Sequence, residues 1–200
     1  MARSLTGKKV AALLTQGFEQ VELTEPQKAL LDAGATVDIV SLARGSVRGW
    51  NRTDWGTEVQ VDRTVDECRA DDYDALLLPG GVMNPDKLRM NQKAVQFVRA
   101  FYDQGKPIAA ICHAPWMLVE ADVVRGCRVT SYPSLQTDMR NAGGDWTDSE
   151  VVVDRGVVTS RKPDDIPAFN NKMIEEFAEG QHGGAGRRQP ARAAGASSRS

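Results

Sequence analysis

Apolar residues fall along the first 180 positions in two alternating patterns. Short runs such as "KKVAALLT" (8–15), "TVDIVSL" (36–42), "DALLLPGG" (74–81) and "KPIAAIC" (106–112) are continuous in Val, Ile, Leu and Ala and end in turn residues. Strands buried on both faces have this character. Between them lie stretches with helical spacing. "PQKALLDAGA" (26–35) places Pro26, Ala29, Leu30 and Ala33 on one face and stops at Gly34. "NQKAVQFVRAFYDQG" (91–105) does the same with Ala94, Val95, Val98, Phe101 and Tyr102, ending at Gly105. Glycine past the last turn is a natural helix stop. "APWMLVEADVV" (114–124) predicts a further helix, and "KPDDIPAFNNKMIEEFAEG" (162–180) a closing one, with Ile166, Phe169, Met173 and Phe177 inward. Pro163 suits its first turn, and Asp164 and Asp165 complement its dipole.

Two regions break this rhythm. Residues 43–66 alternate around "NRTDWGT" and predict a β-hairpin excursion, and "EVVVDRGVVTS" (150–160) predicts two short strands about a turn. "CRVTSY" (127–132) reads as a fifth strand. Strands alternating with helices predict an α/β fold, a mostly parallel sheet covered on both faces. Sites in such sheets form beyond the carboxyl ends of strands. That directs attention to the loops 15–22, 79–86, 112–115 and 131–134.

Composition changes the picture little. The chain of 200 residues is 41% apolar and 26% charged, with net charge −2. That suits one domain, here 1–180, and lacks the basic excess of a nucleic-acid binder. No apolar run has membrane-spanning length, so no membrane partner is expected. Three cysteines without framework spacing argue against a disulfide scaffold and for a reducing, cytoplasmic setting. The last segment, "QHGGAGRRQPARAAGASSRS" (181–200), has no large apolar residue and reads as a flexible tail, His182 included.

The chemistry concentrates at "ICHAPW". Cys112 stands where a buried strand turns into a helix, the geometry of a nucleophile elbow. Unpaired amides and the dipole at the helix start would stabilise a thiolate, lowering the thiol pKa to ~4–7. Pro115 near that start needs no donor of its own. Gly80 and Gly81 close the neighbouring strand, so their backbone, with the amide of His113, is a candidate oxyanion site. Glu19, just past the first strand, either shares a proton with the sulfur or complements a helix dipole; spacing does not choose. Because His113 directly follows Cys112, its ring must turn back to reach the sulfur. Ala114, Trp116 and Tyr132 are candidate pocket walls. Trp50 and Trp55 stay open between core, pocket and interface, and Cys68 and Cys127 read as structural or incidental. No His/Cys cluster has metal spacing and no phosphate-binding fingerprint is present, so neither metal nor cofactor is expected.

"GFEQVEL", "ALLLPGGVMNPDKLR", "GKPIAAICHAPWML", "ADVVRGCRVTSYPSLQTDMRNAGGDW", "EVVVDRGVVTSRKPDD" and "PAFNNKMIEEF" occur in the order and spacing of one family. Over about residues 7–179 the chain resembles the PfpI-type intracellular proteases. These belong, with the Parkinson-disease-associated protein family, to the class I glutamine amidotransferase-like superfamily. The resemblance implies a flavodoxin-like three-layer sandwich and a homo-oligomer. It makes Cys112 the nucleophile, His113 its neighbour and Glu19 the carboxylate on the thiol. In protease-like members an acidic residue from an adjacent subunit completes the triad, and the matching position is Asp86. Aspartate there is one methylene shorter than the glutamate also found in the family, and Ala114 replaces a frequent glycine. The activity implied is a stress-associated cysteine hydrolase acting on a carbonyl or peptide substrate. The alternatives are a cofactor-free glyoxalase or deglycase, and a non-enzymatic redox sensor or chaperone.

Overall fold

The computed structural model describes residues 3–183. Eleven strands and six helices run through them: β1 Lys9–Leu13, α1 Gln20–Asp32, β2 Thr36–Ser41, β3 Ser46–Asn51, β4 Asp54–Gln60, β5 Arg63–Thr64, β6 Ala75–Leu78, α2 Met83–Arg89, α3 Gln92–Asp103, β7 Ile108–Ile111, α4 Pro115–Glu120, β8 Arg128–Val129, α5 Gln136–Asn141, β9 Asp145–Trp146, β10 Val151–Asp154, β11 Val157–Ser160 and α6 Ile166–Glu179. Seven strands form one sheet in the order β10-β11-β7-β6-β1-β2-β5. All neighbours are parallel except β10 and β11. The strand after β1 in the chain lies on one side of it and β6 lies on the other. The order in which strands are added therefore reverses between β1 and β6, where α/β sheets hold their ligands.

The apolar runs are buried on both faces, as their composition requires. Ala11, Leu13, Leu76, Leu78 and Ile108 pack with Phe97, Phe101, Met117 and Leu118 of α3 and α4. Val10, Ala12, Leu77 and Ile111 pack with Leu23, Leu30, Phe169, Met173 and Phe177 of α1 and α6. Side chains alternate across a strand, so one run supplies both layers. Asn91 caps α3, accepting from the amides of Lys93 and Ala94 at 3.0 Å each; losing that cap costs about 1 kcal/mol.

Four departures from the sequence pattern matter. First, α1 begins at Gln20 and carries Pro26 inside it. The proline forfeits only the bond to the Glu22 carbonyl, and the burial of Leu23 and Leu30 outweighs that loss. Second, 127–132 is not a strand of the main sheet. Only Arg128–Val129 is extended, paired with β9, and the Thr159 hydroxyl takes the Thr130 amide at 2.9 Å in place of a ladder bond. Third, α2 and α5 are short helices absent from the periodic pattern, and α4 ends at Glu120. Fourth, His182 is not a solvated tail residue. Its amide donates to the Gly105 carbonyl at 2.8 Å and its Nε2 lies 3.0 Å from Glu176. The rest of the expected tail, 184–200, lies outside the described residues. Among the described residues no helix is long and apolar enough to cross a membrane.

Candidate active site

Cys112 leaves β7 with φ +64°, a left-handed conformation that costs an L-residue about 1–2 kcal/mol. The strain is the elbow: it ends the strand in one residue, and α4 starts at Pro115. The turn is pinned from both sides. The Cys112 amide donates to the Ser160 carbonyl at 3.0 Å and its carbonyl accepts from the Tyr132 amide at 2.8 Å. The side chain is 6% exposed.

The carboxyl beside the sulfur is that of Glu22. It lies beside the Cys112 sulfur, close enough for each group to shift the other's ionisation; its Oε2 takes the Gly80 amide at 2.9 Å, and it is fully buried with Oε1 unpartnered. Glu19, which the resemblance placed on the thiol, is instead half-buried in the pocket wall, near the Arg52 charge. The difference is one helical turn. Because α1 starts at Gln20, position 22 falls inside the first turn and faces the sheet, and position 19 precedes it.

Electrostatics correct a second expectation. Burial, then the neighbouring Glu22 charge, push the Cys112 thiol up, although the amides of Gly81 and His113 pull the other way. Burial pushes Glu22 up to about 8. Two adjacent buried groups cannot both be anionic, so they titrate as a pair. The pair sheds its first proton near the Glu22 value; the amides of Gly80 and Gly81 favour that charge on the carboxyl, and those of Gly81 and His113 favour it on sulfur. A thiol held ionised down to pH ~4–7 does not follow from this site.

His113 does turn back: Nδ1 lies 3.1 Å from Sγ. Its ring stacks on Tyr132 at 4.6 Å between centroids and meets the edge of Trp116 at 5.4 Å, while Nε2 lies 3.4 Å from the Ser134 hydroxyl. Burial lowers its pKa, so the ring is neutral at pH 7 and able to accept a proton.

Both glycines after β6 are required. A Cβ on Gly80 would stand 2.6 Å from Glu22 Oε2 and from the Ile111 carbonyl. Gly81 has φ +79°, and a Cβ there would meet the Glu19 amide at 2.7 Å. The Gly80 amide is occupied by Glu22, leaving those of Gly81 and His113 aimed at the sulfur. Asp86 is exposed on the first turn of α2 and is not among the residues lining the pocket. Ala114 is buried in the core under the elbow, and Trp116 walls His113 rather than the pocket.

The pocket holds about 300 Å³ and is lined by Glu19, Glu22, Trp50, Arg52, Gly81, Cys112, His113 and Tyr132, among others. Trp50, which the sequence left open between core, pocket and interface, and Arg52, which it did not single out, come from the hairpin; a cation at a hairpin turn facing strand ends was the available signal. Elsewhere, Glu176, Glu179 and His182 bring ligand atoms within 4.8 Å of one another. Arg3 pairs with Glu179 at 2.7 Å, and His182 Nε2 lies 3.0 Å from Glu176 Oε2.

A strained cysteine at the carboxyl edge of a parallel sheet, with a buried acid and a histidine on its sulfur, defines an α/β protein of the nucleophile-elbow type. The DJ-1/PfpI family model matches residues 8–176, and the chain belongs to that family. It is 46% identical over 170 residues to General stress protein 18 of Bacillus subtilis, covering 84% of this chain and 96% of that protein. Over 168 residues it is 42% identical to the YraA protein of the same organism, provisionally named a cysteine protease, covering 84% and 96%. Over 167 residues it is 43% identical to Deglycase PH1704 of Pyrococcus horikoshii, covering 84% and 98%. Among solved structures, a two-domain Anabaena variabilis protein with DJ-1/ThiJ/PfpI-like and ferritin-like domains superposes with a TM-score of 0.81 at 36% identity. That match spans 94% of this chain and 52% of the other.

Proposed function

We propose that the protein is a Cys112-dependent hydrolase of carbonyl adducts, a deglycase acting on the products of small oxo-aldehydes with amines or thiols. The observation that carries this reading is the buried thiol–carboxyl pair of Cys112 and Glu22, opening on a pocket sized for a small molecule. Such a pair supplies a nucleophile and an acid at one carbonyl. Sγ adds to the carbonyl carbon as its proton passes to His113 Nδ1, 3.1 Å away. The π electrons move to the oxygen, which takes a proton from Glu22, still largely protonated at pH 7. The Gly81 and His113 amides flank the charge that develops. The hydrogen on the adduct carbon then shifts with its electron pair to the former carbonyl carbon as the Sγ–C bond breaks, and one water splits the amide or thioester so formed into a hydroxy acid and a free amine or thiol, an internal rearrangement that needs no external oxidant. The name of the Pyrococcus horikoshii relative supports the same chemistry. The test is the decay of a methylglyoxal adduct of N-acetylarginine: turnover by the wild type, and protein-free rates for Cys112→Ser.

Peptide hydrolysis is the second reading, favoured by the Cys112–His113 contact and by the name of the YraA relative. It calls for a homo-oligomer in which Asp86 of a second copy orients His113. Casein cleavage that is lost together in Cys112→Ser and Asp86→Asn supports it. Cleavage that persists in Cys112→Ser removes it.

A further inference from the structure

The β3–β4 hairpin belongs to neither layer of the sandwich, yet it is tied firmly to the loop before α1. The Gly17 amide donates to the Arg48 carbonyl at 2.9 Å and the Trp50 amide to the Phe18 carbonyl at 2.6 Å. The Gln16 and Gln20 side-chain oxygens take the amides of Arg48 at 2.8 Å and Thr57 at 2.7 Å. These bonds hold the hairpin turn over the pocket. Within the turn Arg52 is left-handed, φ +59°, and the Trp50 indole fixes it by donating to the Arg52 carbonyl at 2.8 Å. A strained turn residue that overhangs a reactive group points to a role for that residue.

Arg52 is the permanently charged cation among the residues lining the pocket. Among the described residues its guanidinium enters no ion pair. It faces one opposing charge, that of Glu19, which it influences without bonding through its side chain. We propose that Arg52 is a specificity-determining residue that seats a carboxylate carried on the carbonyl substrate, so that the preferred substrates are small oxo-acids or adducts bearing a carboxylate. A guanidinium pairs a carboxylate through two parallel N–H bonds. The adjacent Glu19 charge makes the rim suit a monoanion and disfavours a phosphate dianion. This inference rests on the Cys112 chemistry proposed above. In the reaction it adds no step: the S–C bond forms, the C=O π bond breaks, and the oxygen takes the proton.

Iodoacetate and iodoacetamide are near-isosteric probes that differ by one charge. With either, the S–C bond forms, iodide leaves with the C–I electron pair, and the thiol proton goes to buffer. The full chain is alkylated at low salt, and mass mapping separates Cys112 from the buried Cys68 and Cys127. We expect Arg52→Gln to slow iodoacetate relative to iodoacetamide about five- to tenfold, the effect of removing one charge in partly screened surroundings. Arg52→Lys should restore part of the preference, and Glu19→Gln should raise it above wild type. A purely structural role for Arg52 would alter both reagents together. An iodoacetate-to-iodoacetamide ratio unchanged within about twofold in Arg52→Gln, with Cys112 still labelled, overturns this assignment alone. Failure of iodoacetamide to label Cys112 in the wild type overturns the assignment and the thiol reading together.

Discussion

Replacing Glu22 by glutamine should make the protein more stable as the pH rises, although it removes a group the chemistry needs. Burial lifts the native carboxyl from 4.5 to about 8, so the folded chain binds this proton more tightly than the unfolded chain. That contribution to stability is complete below pH 4.5 and is lost as pH climbs through about 8. At ~1.4 kcal/mol per tenfold change in proton affinity, the full loss is roughly 5 kcal/mol, about 3 of it by pH 7. Sharing the proton with the sulfur reduces these figures, and we expect a gap of at least ~2 kcal/mol at neutral pH. Glutamine keeps the volume and an acceptor for the Gly80 amide without a charge to bury. Urea denaturation of wild type and Glu22→Gln at pH values of about 5, 7 and 8.5 should give nearly coincident curves at the lowest pH. The variant should pull ahead above it, by at least ~2 kcal/mol in unfolding free energy at pH 7. Parallel pH profiles, with no widening gap, would refute the claim that Glu22 carries an unfavourable buried charge.

The same pair should govern reactivity. The rate of Cys112 alkylation by iodoacetamide should rise through a first step near the Glu22 value of about 8 and a second step at higher pH; in Glu22→Gln a single step should remain, as a mass-mapped pH–rate profile will show. Gly80→Ala should destabilise the fold by about 1–3 kcal/mol and lower turnover at least tenfold, because the new methyl meets Glu22 Oε2 and the Ile111 carbonyl; denaturation and adduct-decay assays on one preparation check both. His113→Asn should cost about 10²–10⁴ in kcat with little change in stability, the range for a positioned proton acceptor. Substitution of the ring's stacking partner, Tyr132→Ala, should raise KM more than it lowers kcat.

Much of the architecture was legible from the apolar runs, because strands buried on both faces of a parallel sheet need Val, Ile, Leu and Ala at every position. β1, β6 and β7 fall inside "KKVAALLT", "DALLLPGG" and "KPIAAIC" for that reason. The elbow was legible too, since a cysteine ending such a run can only leave it by a sharp turn. Glu22 was not. With helical spacing read only from Pro26, position 22 falls in the loop 15–22, where nothing in the sequence sets it apart from Glu19 as the acid on the sulfur. The buried positions Leu23, Pro26 and Leu30 do share one helical face, and that spacing was the available clue. The ionisation of Cys112 was misjudged because a helix start is visible in sequence whereas the depth of burial and the acid across the sheet are not. His182 was taken for solvent because of its Gly-rich neighbours; its docking depends on Gly105 and Gly156, far away in the chain, leaving it room.

The most direct test of the central claim follows the decay of a methylglyoxal adduct of N-acetylarginine at neutral pH, with product amine and hydroxy acid quantified. Wild type, Cys112→Ser and Glu22→Gln are compared against a protein-free control. Turnover by the wild type, none above control in Cys112→Ser, and a loss of about 10²-fold or more in Glu22→Gln are the predicted results. Undiminished decay in either variant would contradict the assignment of this thiol and this acid as the working pair.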